Sequence, residues 1–447
     1  MTSSIYPIIS PKASLSLLRE DAYLITNIET FKTKILNKYQ GMIISECTGK
    51  NSIEEISYQL VQNESLKITE ESVRKFVFKM IKLGFLHWSP VKVKLEISTP
   101  NKQLNQQKDY FNPDKLHTVT ISVTETCCMK CAHCSQSAPF GKGNEFQYDH
   151  LVKIVTEAYE LGARYLGIFG GEPLLYPYLE DIVSYAYRIG YMNVIIFTKG
   201  TLINFEKAKK MRSIGVTEIQ VSCDSHIPEQ YDKIVGQNGA FEDFYKAIYY
   251  LMSVGIKVKL KVVVTKTNIN FMPELIDYFT NLNIDCINLE VVVPVGRADF
   301  ELIPATNEIH ELDDHIKRLK ESNEDKYRHL SFKYMEYGKP KSCSGGIGSI
   351  MIFADGTVAP CDKWYSYRKS FNFGNVYKST LKDIWYNGNY YTFRNLIDNP
   401  VCNECNDLFY CRGGCQLNTI IFGRELGEPD LACSKISGKH SGILFKD

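Results

Sequence analysis

The residues of this chain that most clearly suggest chemistry are three cysteines that lie close together in the sequence. Cys127, Cys131 and Cys134 follow residues 117–123, whose alternation of apolar and polar side chains predicts a β-strand. Thiolates at this spacing suit zinc or an iron–sulfur cluster. On a four-iron cluster, three cysteine ligands would leave one iron without a protein ligand, and chemistry could take place at that iron.

Most of the remaining cysteines lie in a second group near the carboxyl end. Its members are Cys343, Cys361, Cys402, Cys405, Cys411, Cys415 and Cys433, with the spacing CX12GX4C, a gap, CX2CX5CX3C, a gap and a final C. A zinc ribbon needs only the CX2C and CX3C halves, and seven cysteines are too many for one tetrahedral site, so we expect two centres. Cys47, Cys223 and Cys286 stand alone, and we expect them to be buried as small hydrophobic side chains.

Length and composition indicate a globular protein of two or three domains. The chain has 447 residues, of which 44% are hydrophobic and 23% charged, and its net charge of +1 gives no electrostatic reason to expect nucleic acid as a partner. Residues 1–11 lack the basic start and apolar core of a secretory signal, and no segment reaches the roughly 18–20 apolar residues of a membrane span. We therefore expect a cytoplasmic protein whose cysteines bind metal rather than form disulfides.

Residues 1–97 predict a small α+β domain of the winged-helix kind. Residues 14–28 alternate like one or two strands joined by a turn. Ser52 and Glu55 have the spacing of a capping box, and Thr69 has the character of a helix start. Function in this domain, if present, would lie on a strand edge.

Residues 98–114 are polar, contain two prolines and predict a linker, after which strands and helices alternate. The predicted strands are 117–123, 165–169, 193–198, 218–223, 257–265 and 286–293. The predicted helices are 148–161, 178–189, 205–214, 241–254 and 272–281. This alternation over residues 115–325 predicts an α/β domain with a parallel sheet. In such sheets ligands bind at the carboxyl ends of the strands.

A Gly-Gly-Glu-Pro turn at Gly170, Gly171, Glu172 and Pro173 directly follows the second of these strands. Two adjacent glycines permit close approach of a ligand, and Glu172 can accept a hydrogen bond from an ammonium group. Such a turn alone is weak evidence, because surface turns often contain these residues. The turn follows the cysteine loop by one βα unit, so both motifs lie at the same rim of the sheet. Together they are strong evidence for a shared site.

The CX3CX2C triad and the Gly-Gly-Glu-Pro turn together resemble the radical S-adenosylmethionine (SAM) enzymes. The resemblance implies a partial (β/α)6 barrel related to the TIM barrel, a [4Fe-4S] cluster on Cys127, Cys131 and Cys134, and SAM bound to the open iron through its amino and carboxylate groups. By the same resemblance, the SAM-binding residues are Gly170, Gly171, Glu172, Ser222 and Asp224, the last two at the nucleoside. Lys199 stands where members usually have Asn, so we assign it no role.

The seven later cysteines resemble the SPASM domain, which would occupy residues 326–447 and carry two auxiliary [4Fe-4S] clusters. By that resemblance one cluster is completed by Cys402, Cys405, Cys411 and Cys433, and the other is bound by Cys343, Cys361 and Cys415. The second cluster would keep one open iron or an unidentified ligand. An open iron could bind a substrate thiolate or accept an electron from a substrate radical.

Residues 1–97 resemble the leader-recognition domain of peptide maturases, which is similar to the pyrroloquinoline quinone chaperone and captures a leader as an added strand. The resemblances together imply an enzyme that cleaves SAM reductively to a 5′-deoxyadenosyl radical. That radical would abstract hydrogen from a ribosomally made precursor peptide, giving a thioether or a carbon–carbon crosslink. The implied partners are the precursor peptide, bound through its leader, and an external one-electron reductant of the flavodoxin or ferredoxin type. No catalytic acid or base is identifiable.

Two alternatives remain open from the sequence. Within the same chemistry, the substrate could be a folded protein, such as a sulfatase that acquires formylglycine, or a quinone cofactor. A domain that binds a leader peptide argues against the sulfatase. From another class, a non-enzymatic zinc or electron-transfer protein could use the same cysteines. Metal analysis would separate the classes, because such a zinc protein would contain no iron.

Overall fold

The computed structural model describes residues 6–10, 13–19, 22–27, 33–61, 69–89, 92, 116–334, 345, 348–394, 399–403, 405, 411, 413–433, 435 and 436. The predicted linker at 98–114 and Cys343 lie outside these residues. The chain divides into two compact units, Met1–Lys115 and Leu116–Asp447. Each unit has a hydrophobic core built from its own side chains.

The first unit is of the α+β class. Its strands are β1 (Tyr6–Ile9), β2 (Ala13–Arg19), β3 (Ala22–Asn27), β4 (Thr33–Asn37) and β5 (Leu86–Ser89), and its helices are α1 (Lys38–Glu46), α2 (Ile53–Val61) and α3 (Glu70–Lys82). Strands β2, β3 and β4 form an antiparallel sheet in that order, and β1 pairs antiparallel with β5. The antiparallel pair β2 and β3 confirms the strands predicted in residues 14–28.

Capping interactions explain where two helices of this unit begin. The Ser52 backbone N–H donates to Glu55 Oε2 at 2.7 Å, and the Glu55 N–H donates to Ser52 Oγ at 3.2 Å, so the predicted capping box is confirmed. Thr69 caps α3 in the same reciprocal way with Ser72. Because apolar residues recur on one face of α3, that face is buried in the core.

The second unit is organised by a sheet whose central strands are all parallel. These strands are β6 (Thr118–Thr124), β7 (Tyr165–Gly170), β8 (Asn193–Thr198), β9 (Glu218–Ser222), β10 (Lys257–Val264) and β11 (Cys286–Val291), paired in chain order. The helices between them are α4 (Tyr148–Glu160), α5 (Leu179–Ile189), α6 (Phe205–Ser213), α7 (Pro228–Val235), α8 (Ala240–Ser253) and α9 (Met272–Asn281). The predicted partial (β/α)6 barrel is confirmed, and α7 is an addition to the predicted pattern.

Short strands extend this sheet at both edges. Strand β12 (Leu330–Lys333) lies parallel to β11, whereas β13 (Ser349–Ile352) lies parallel to β6 and pairs antiparallel with β14 (Val358–Ala359). The remaining helices in the described residues are α10 (Thr306–Ser322), α11 (Glu324–Tyr327), α12 (Arg368–Phe371), α13 (Leu381–Asn387), α14 (Asn389–Arg394), α15 (Pro400–Asn403) and α16 (Gln416–Ile421). None of the described helices is long and apolar enough to cross a bilayer.

Alternation along the strands gives the barrel a polar inner face. In β9, β10 and β11 every second residue is buried against the helices, and the residues between them are only partly buried. Cys286 is therefore half-buried on β11, with its thiol donating to His329 O at 3.2 Å, and the prediction that it is buried is wrong. Cys47 and Cys223 are fully buried, as predicted.

Candidate functional site

The cysteine loop, residues 125–146, follows β6 and is held by backbone hydrogen bonds. The Cys127 N–H donates to Pro139 O at 3.1 Å, and the Gly141 N–H donates to Cys127 O at 3.1 Å. The Lys130 N–H donates to Val235 O at 2.9 Å, at the end of α7. The loop is thus fixed both to its own returning segment and to a helix that lies three strands further along the barrel.

Arg297, in the segment after β11, contacts the same loop. Strands β11 and β6 are the two outermost of the six parallel barrel strands. The Nε of Arg297 donates to Cys131 O at 2.8 Å, its Nη1 donates to Ala138 O at 3.0 Å, and its backbone N–H donates to Cys134 O at 3.0 Å. Gly296 has φ +71, and a Cβ there would lie 2.2 Å from Cys134 O. Only glycine therefore fits at position 296, between the barrel and the loop. The planar guanidinium of Arg297 holds the carbonyl groups of Cys131 and Ala138 at the same time.

The three thiols of the loop are near enough to one another for Cys127 and Cys134 to act electrostatically on Cys131. Cys127 and Cys131 are buried and Cys134 is half-buried. Burial raises the pKa of the Cys131 thiol to about 11; Lys199 opposes this rise, and Asp224, Cys134 and Cys127 add to it. Thiols that disfavour each other's ionisation in this way need a positive centre to become thiolates. This donor set fits a three-cysteine iron–sulfur site at the end of β6.

Close backbone contact explains the two glycines of the Gly-Gly-Glu-Pro turn. A Cβ on Gly170 would lie 2.6 Å from Thr124 O, and one on Gly171 would lie 2.3 Å from Thr126 O. The Gly171 N–H donates to Thr124 O and the Glu172 N–H to Thr126 O, both at 2.8 Å. The turn therefore lies directly against the start of the cysteine loop, on the same rim of the sheet.

The Glu172 carboxylate is buried and connects this turn to the turn after β8. It accepts hydrogen bonds from Thr198 Oγ1 at 2.6 Å, from the Lys199 N–H at 3.0 Å and from the Leu174 N–H at 3.1 Å. Burial raises the pKa of Glu172, and these donors oppose the rise. Its predicted hydrogen bond with the SAM ammonium stays a prediction.

Asp224, at the end of β9, is the centre of a buried charged network. Its Oδ2 lies 2.8 Å from Lys199 Nζ and 3.3 Å from His133 Nε2, and its Oδ1 accepts from the Val263 N–H at 2.9 Å. Burial alone would raise the pKa of Asp224, but Lys199 and His133 outweigh burial and hold it well below its usual range. Lys199, to which the sequence assigned no role, thus joins the ends of β8 and β9, and His133 extends the network to the cysteine loop.

The other residue predicted at the nucleoside, Ser222, lies two positions before Asp224 and is half-buried on the inner face of β9. Both oxygens of the Asp224 carboxylate already accept hydrogen bonds from the protein. The nucleoside contacts of Ser222 and Asp224 stay predictions.

Replacing Lys199 by Met is expected to destabilise the second unit by about 3–5 kcal/mol, because it leaves a buried carboxylate without its main cation. The measurement is the thermal midpoint of the apoprotein, which should fall by several degrees. The double variant Lys199→Met/Asp224→Asn should recover part of the loss, because the uncompensated charge is removed. An unchanged midpoint in the single variant would show that Asp224 does not depend on Lys199.

The carboxyl-terminal cysteines form a second concentration of thiols. Burial raises the pKa of Cys402, and Cys433 and Cys405 add to the rise. Burial raises the pKa of Cys411 to about 11, again with Cys433 and Cys402 adding to it. The four thiols assigned to one auxiliary cluster are therefore close enough to influence one another, and none of the described cysteines forms a disulfide. Cys361 and Cys415 are half-buried, and Cys343, the third cysteine assigned with them, lies outside the described residues.

A buried ion pair links the cysteine loop to the segment after Cys361. Glu125, at the start of the loop, accepts from Tyr365 Oη at 2.8 Å and contacts Arg368 at 3.3 Å. Arg368 also contacts Asp355 at 3.1 Å. Glu125 directly follows β6, and nothing in the sequence indicated Arg368 as its partner.

Comparison with known proteins agrees with this geometry. Residues 121–282 match the Radical SAM superfamily, and residues 343–406 match SPASM, an iron–sulfur cluster-binding domain. A curated relative, the Fe-coproporphyrin III synthase of Methanosarcina barkeri, is 28% identical over 324 residues, which are 65% of this chain and 79% of the relative.

Solved structures share the fold at low sequence identity. SuiB from Streptococcus suis bound to the precursor peptide SuiA has a TM-score of 0.63 at 16% identity, covering 96% of this chain and 99% of SuiB. The same protein bound to S-adenosylmethionine has a TM-score of 0.62 at 18% identity, covering 95% of this chain and 99% of that one. The enzyme anSMEcpe with bound AdoMet and a peptide has a TM-score of 0.56 at 16% identity, covering 72% and 94% of the two chains.

Proposed function

The protein is an enzyme of the radical SAM superfamily with a C-terminal SPASM domain, and we propose that it modifies a ribosomally made precursor peptide. The proposed product is a thioether or a carbon–carbon crosslink in the core of that peptide. The observation that carries the proposal is the direct contact between the Gly-Gly-Glu-Pro turn and the cysteine loop, made by the hydrogen bonds of Gly171 and Glu172. That contact puts both motifs at one rim of the barrel.

The residues of this chain would bind and orient the reactants. When bound, the cluster and SAM supply a 5′-deoxyadenosyl radical that takes a hydrogen atom from the substrate. Cys127, Cys131 and Cys134 would hold the cluster, in a loop already fixed by Arg297. Gly170 to Glu172 would receive the methionine end of SAM, and Ser222 would face its nucleoside from the inner side of β9.

The first unit supplies a reason to propose a peptide substrate. Its three-stranded sheet has the order β2, β3, β4, so within the described residues β2 and β4 each have one side without a paired strand. An extended peptide can add to such an edge through main-chain hydrogen bonds. Residues 1–97 would bind the leader in this way, while an external one-electron reductant of the flavodoxin or ferredoxin type would deliver electrons to the second unit.

The proposal is tested on full-length protein reconstituted with iron and sulfide under anaerobic conditions. With dithionite and SAM it should release 5′-deoxyadenosine, measured by liquid chromatography. With the peptide encoded by a neighbouring short reading frame, the product should lack two hydrogens by mass spectrometry. Absence of 5′-deoxyadenosine would contradict the radical chemistry, whereas 5′-deoxyadenosine without a peptide product would contradict only the proposed substrate.

A small molecule with carboxylate groups is the second candidate substrate. The Methanosarcina barkeri relative is a synthase of Fe-coproporphyrin III, a tetrapyrrole that carries carboxylates. The observation that favours this candidate is the pair of lysines, Lys259 and Lys261, on the inner face of β10.

A further inference from the structure

Two lysines form ion pairs with one glutamate at the inner face of the barrel, and a third lies next to it in the sheet. Lys261 of β10 and Lys363, two residues after Cys361, both form ion pairs with the Glu290 carboxylate of β11. Lys333 of β12 lies beside Glu290 in the strand register. The paired side chains keep about a quarter of their surface exposed: 25% for Lys261, 25% for Glu290 and 29% for Lys363. A group entering the barrel can therefore reach them.

Among the described residues, the lysine cluster, defined as Lys261, Lys333 and Lys363, has more ammonium groups than carboxylates in ion pairs with it. Lys259 and Glu218, on the same inner face, form a one-to-one pair at 2.6 Å. Lys261 and Lys363 instead share the single carboxylate of Glu290, and Lys333, whose side chain is exposed, is its register neighbour. The two partly buried ammonium groups therefore keep donors for a further anion.

The pKa of Lys261 responds to this excess. Burial lowers it, Glu290 opposes the decrease, and Lys363 and Lys333 lower it further, so that the pKa is depressed although a carboxylate is in contact. Burial is the largest cause of this depression, and the two neighbouring lysines add to it.

The position of the lysine cluster points to the substrate. Lys261 is the register partner of Ser222, the residue predicted at the nucleoside, and Glu290 is one residue from the end of β11. Both therefore lie near the carboxyl ends of the strands, where barrel enzymes bind their ligands. If SAM binds at Ser222 as proposed, a substrate that reaches its nucleoside would also come close to Lys261.

We propose that Lys261, Lys333 and Lys363 form a subsite for a carboxylate group of the substrate. The proposal rests on the proposed function for the source of that group, which is a Glu or Asp side chain close to the modified residue of the peptide. Lysine is suited to this role because its ammonium is a point charge that accepts a carboxylate from several directions. In the free enzyme the Glu290 carboxylate neutralises part of the positive charge and keeps Lys261 and Lys363 in position.

The test measures how fast individual lysines of the full-length, reconstituted enzyme are acetylated, by mass spectrometry and in the presence of SAM. The probes are a synthetic hexapeptide with two Glu residues, its counterpart with two Gln residues, and coproporphyrin III. We expect the Glu peptide to slow acetylation of Lys261 and Lys333 several-fold relative to the Gln peptide. Acetylation of Lys209, an exposed lysine on α6, serves as the control and should not change.

Three variants separate a binding role from a structural ion pair. Glu290→Gln removes the internal anion, so the Glu peptide should protect Lys261 and Lys333 more strongly; a merely structural pair would give no such gain. Lys261→Met should abolish protection of Lys333, whereas Lys261→Arg should retain it.

The outcomes distinguish the sources of the carboxylate. Protection by the Glu peptide supports the subsite with a peptide substrate. Protection by coproporphyrin III alone supports the subsite and contradicts the peptide source. No protection by either probe overturns the proposal, and because release of 5′-deoxyadenosine is measured separately, that result leaves the radical chemistry standing.

Discussion

Replacing Cys127, Cys131 or Cys134 by Ala is expected to abolish release of 5′-deoxyadenosine, whereas replacing Cys402 or Cys405 by Ala should leave release and stop product formation. The first three thiols lie on the loop that contacts the Gly-Gly-Glu-Pro turn, so losing one removes a ligand at the place where SAM is proposed to bind. Cys402 and Cys405 belong to the separate concentration of thiols near the carboxyl end. Their loss would remove ligands of an auxiliary cluster and leave the cysteine loop unchanged.

The measurement combines 5′-deoxyadenosine by chromatography, peptide product by mass spectrometry and iron content. Cys286→Ala is the matched control, because Cys286 is half-buried on β11 and assigned to no cluster. It should retain iron and both activities. Equal loss of 5′-deoxyadenosine in both sets of variants would contradict the division of labour between the two groups of cysteines.

Deleting residues 1–97 is expected to abolish peptide modification while leaving SAM cleavage without substrate. The cysteine loop, the Gly-Gly-Glu-Pro turn and the barrel core all belong to Leu116–Asp447, whose core is built from its own residues. The deleted part contains the sheet of β2, β3 and β4, at whose edge the leader is proposed to bind. Loss of the leader site should therefore raise the KM for the peptide beyond measurable concentrations.

The deleted segment, supplied as a separate polypeptide, should restore part of the peptide turnover. The iron content of the shortened enzyme must match that of the full chain for the comparison to hold. Unchanged peptide turnover after the deletion would contradict leader binding by residues 1–97 and would favour a folded protein, which needs no leader-binding domain, as the substrate.

The central barrel could be predicted from the sequence because its elements carry strong local signals. Strand β8 (Asn193–Thr198) and helix α9 (Met272–Asn281) have the predicted boundaries, since each is a regular run between turn residues. Helix α7 (Pro228–Val235) was missed, as it is short and interrupts the alternation. Strands β12 and β13 have four residues each, too few for a periodic pattern.

The site was predictable only where its residues are contiguous. The cysteine triad and the Gly-Gly-Glu-Pro turn are short motifs that keep their meaning when read alone. The contacts of Arg297 with the cysteine loop, of Lys199 with Asp224 and of Lys363 with Glu290 join segments far apart in the chain. The periodicity of apolar residues along the chain does not specify such pairs. They form only when the curved sheet brings distant segments together.

The contact between Arg297 and Cys131 also orders events during synthesis of the protein. Arg297 emerges from the ribosome 166 residues after Cys131, so the loop that carries the three thiols acquires its final shape only after β11 has been made. Until then the loop lacks the guanidinium that fixes its carbonyl groups. The finished form of the loop therefore requires that the barrel has been translated as far as Arg297.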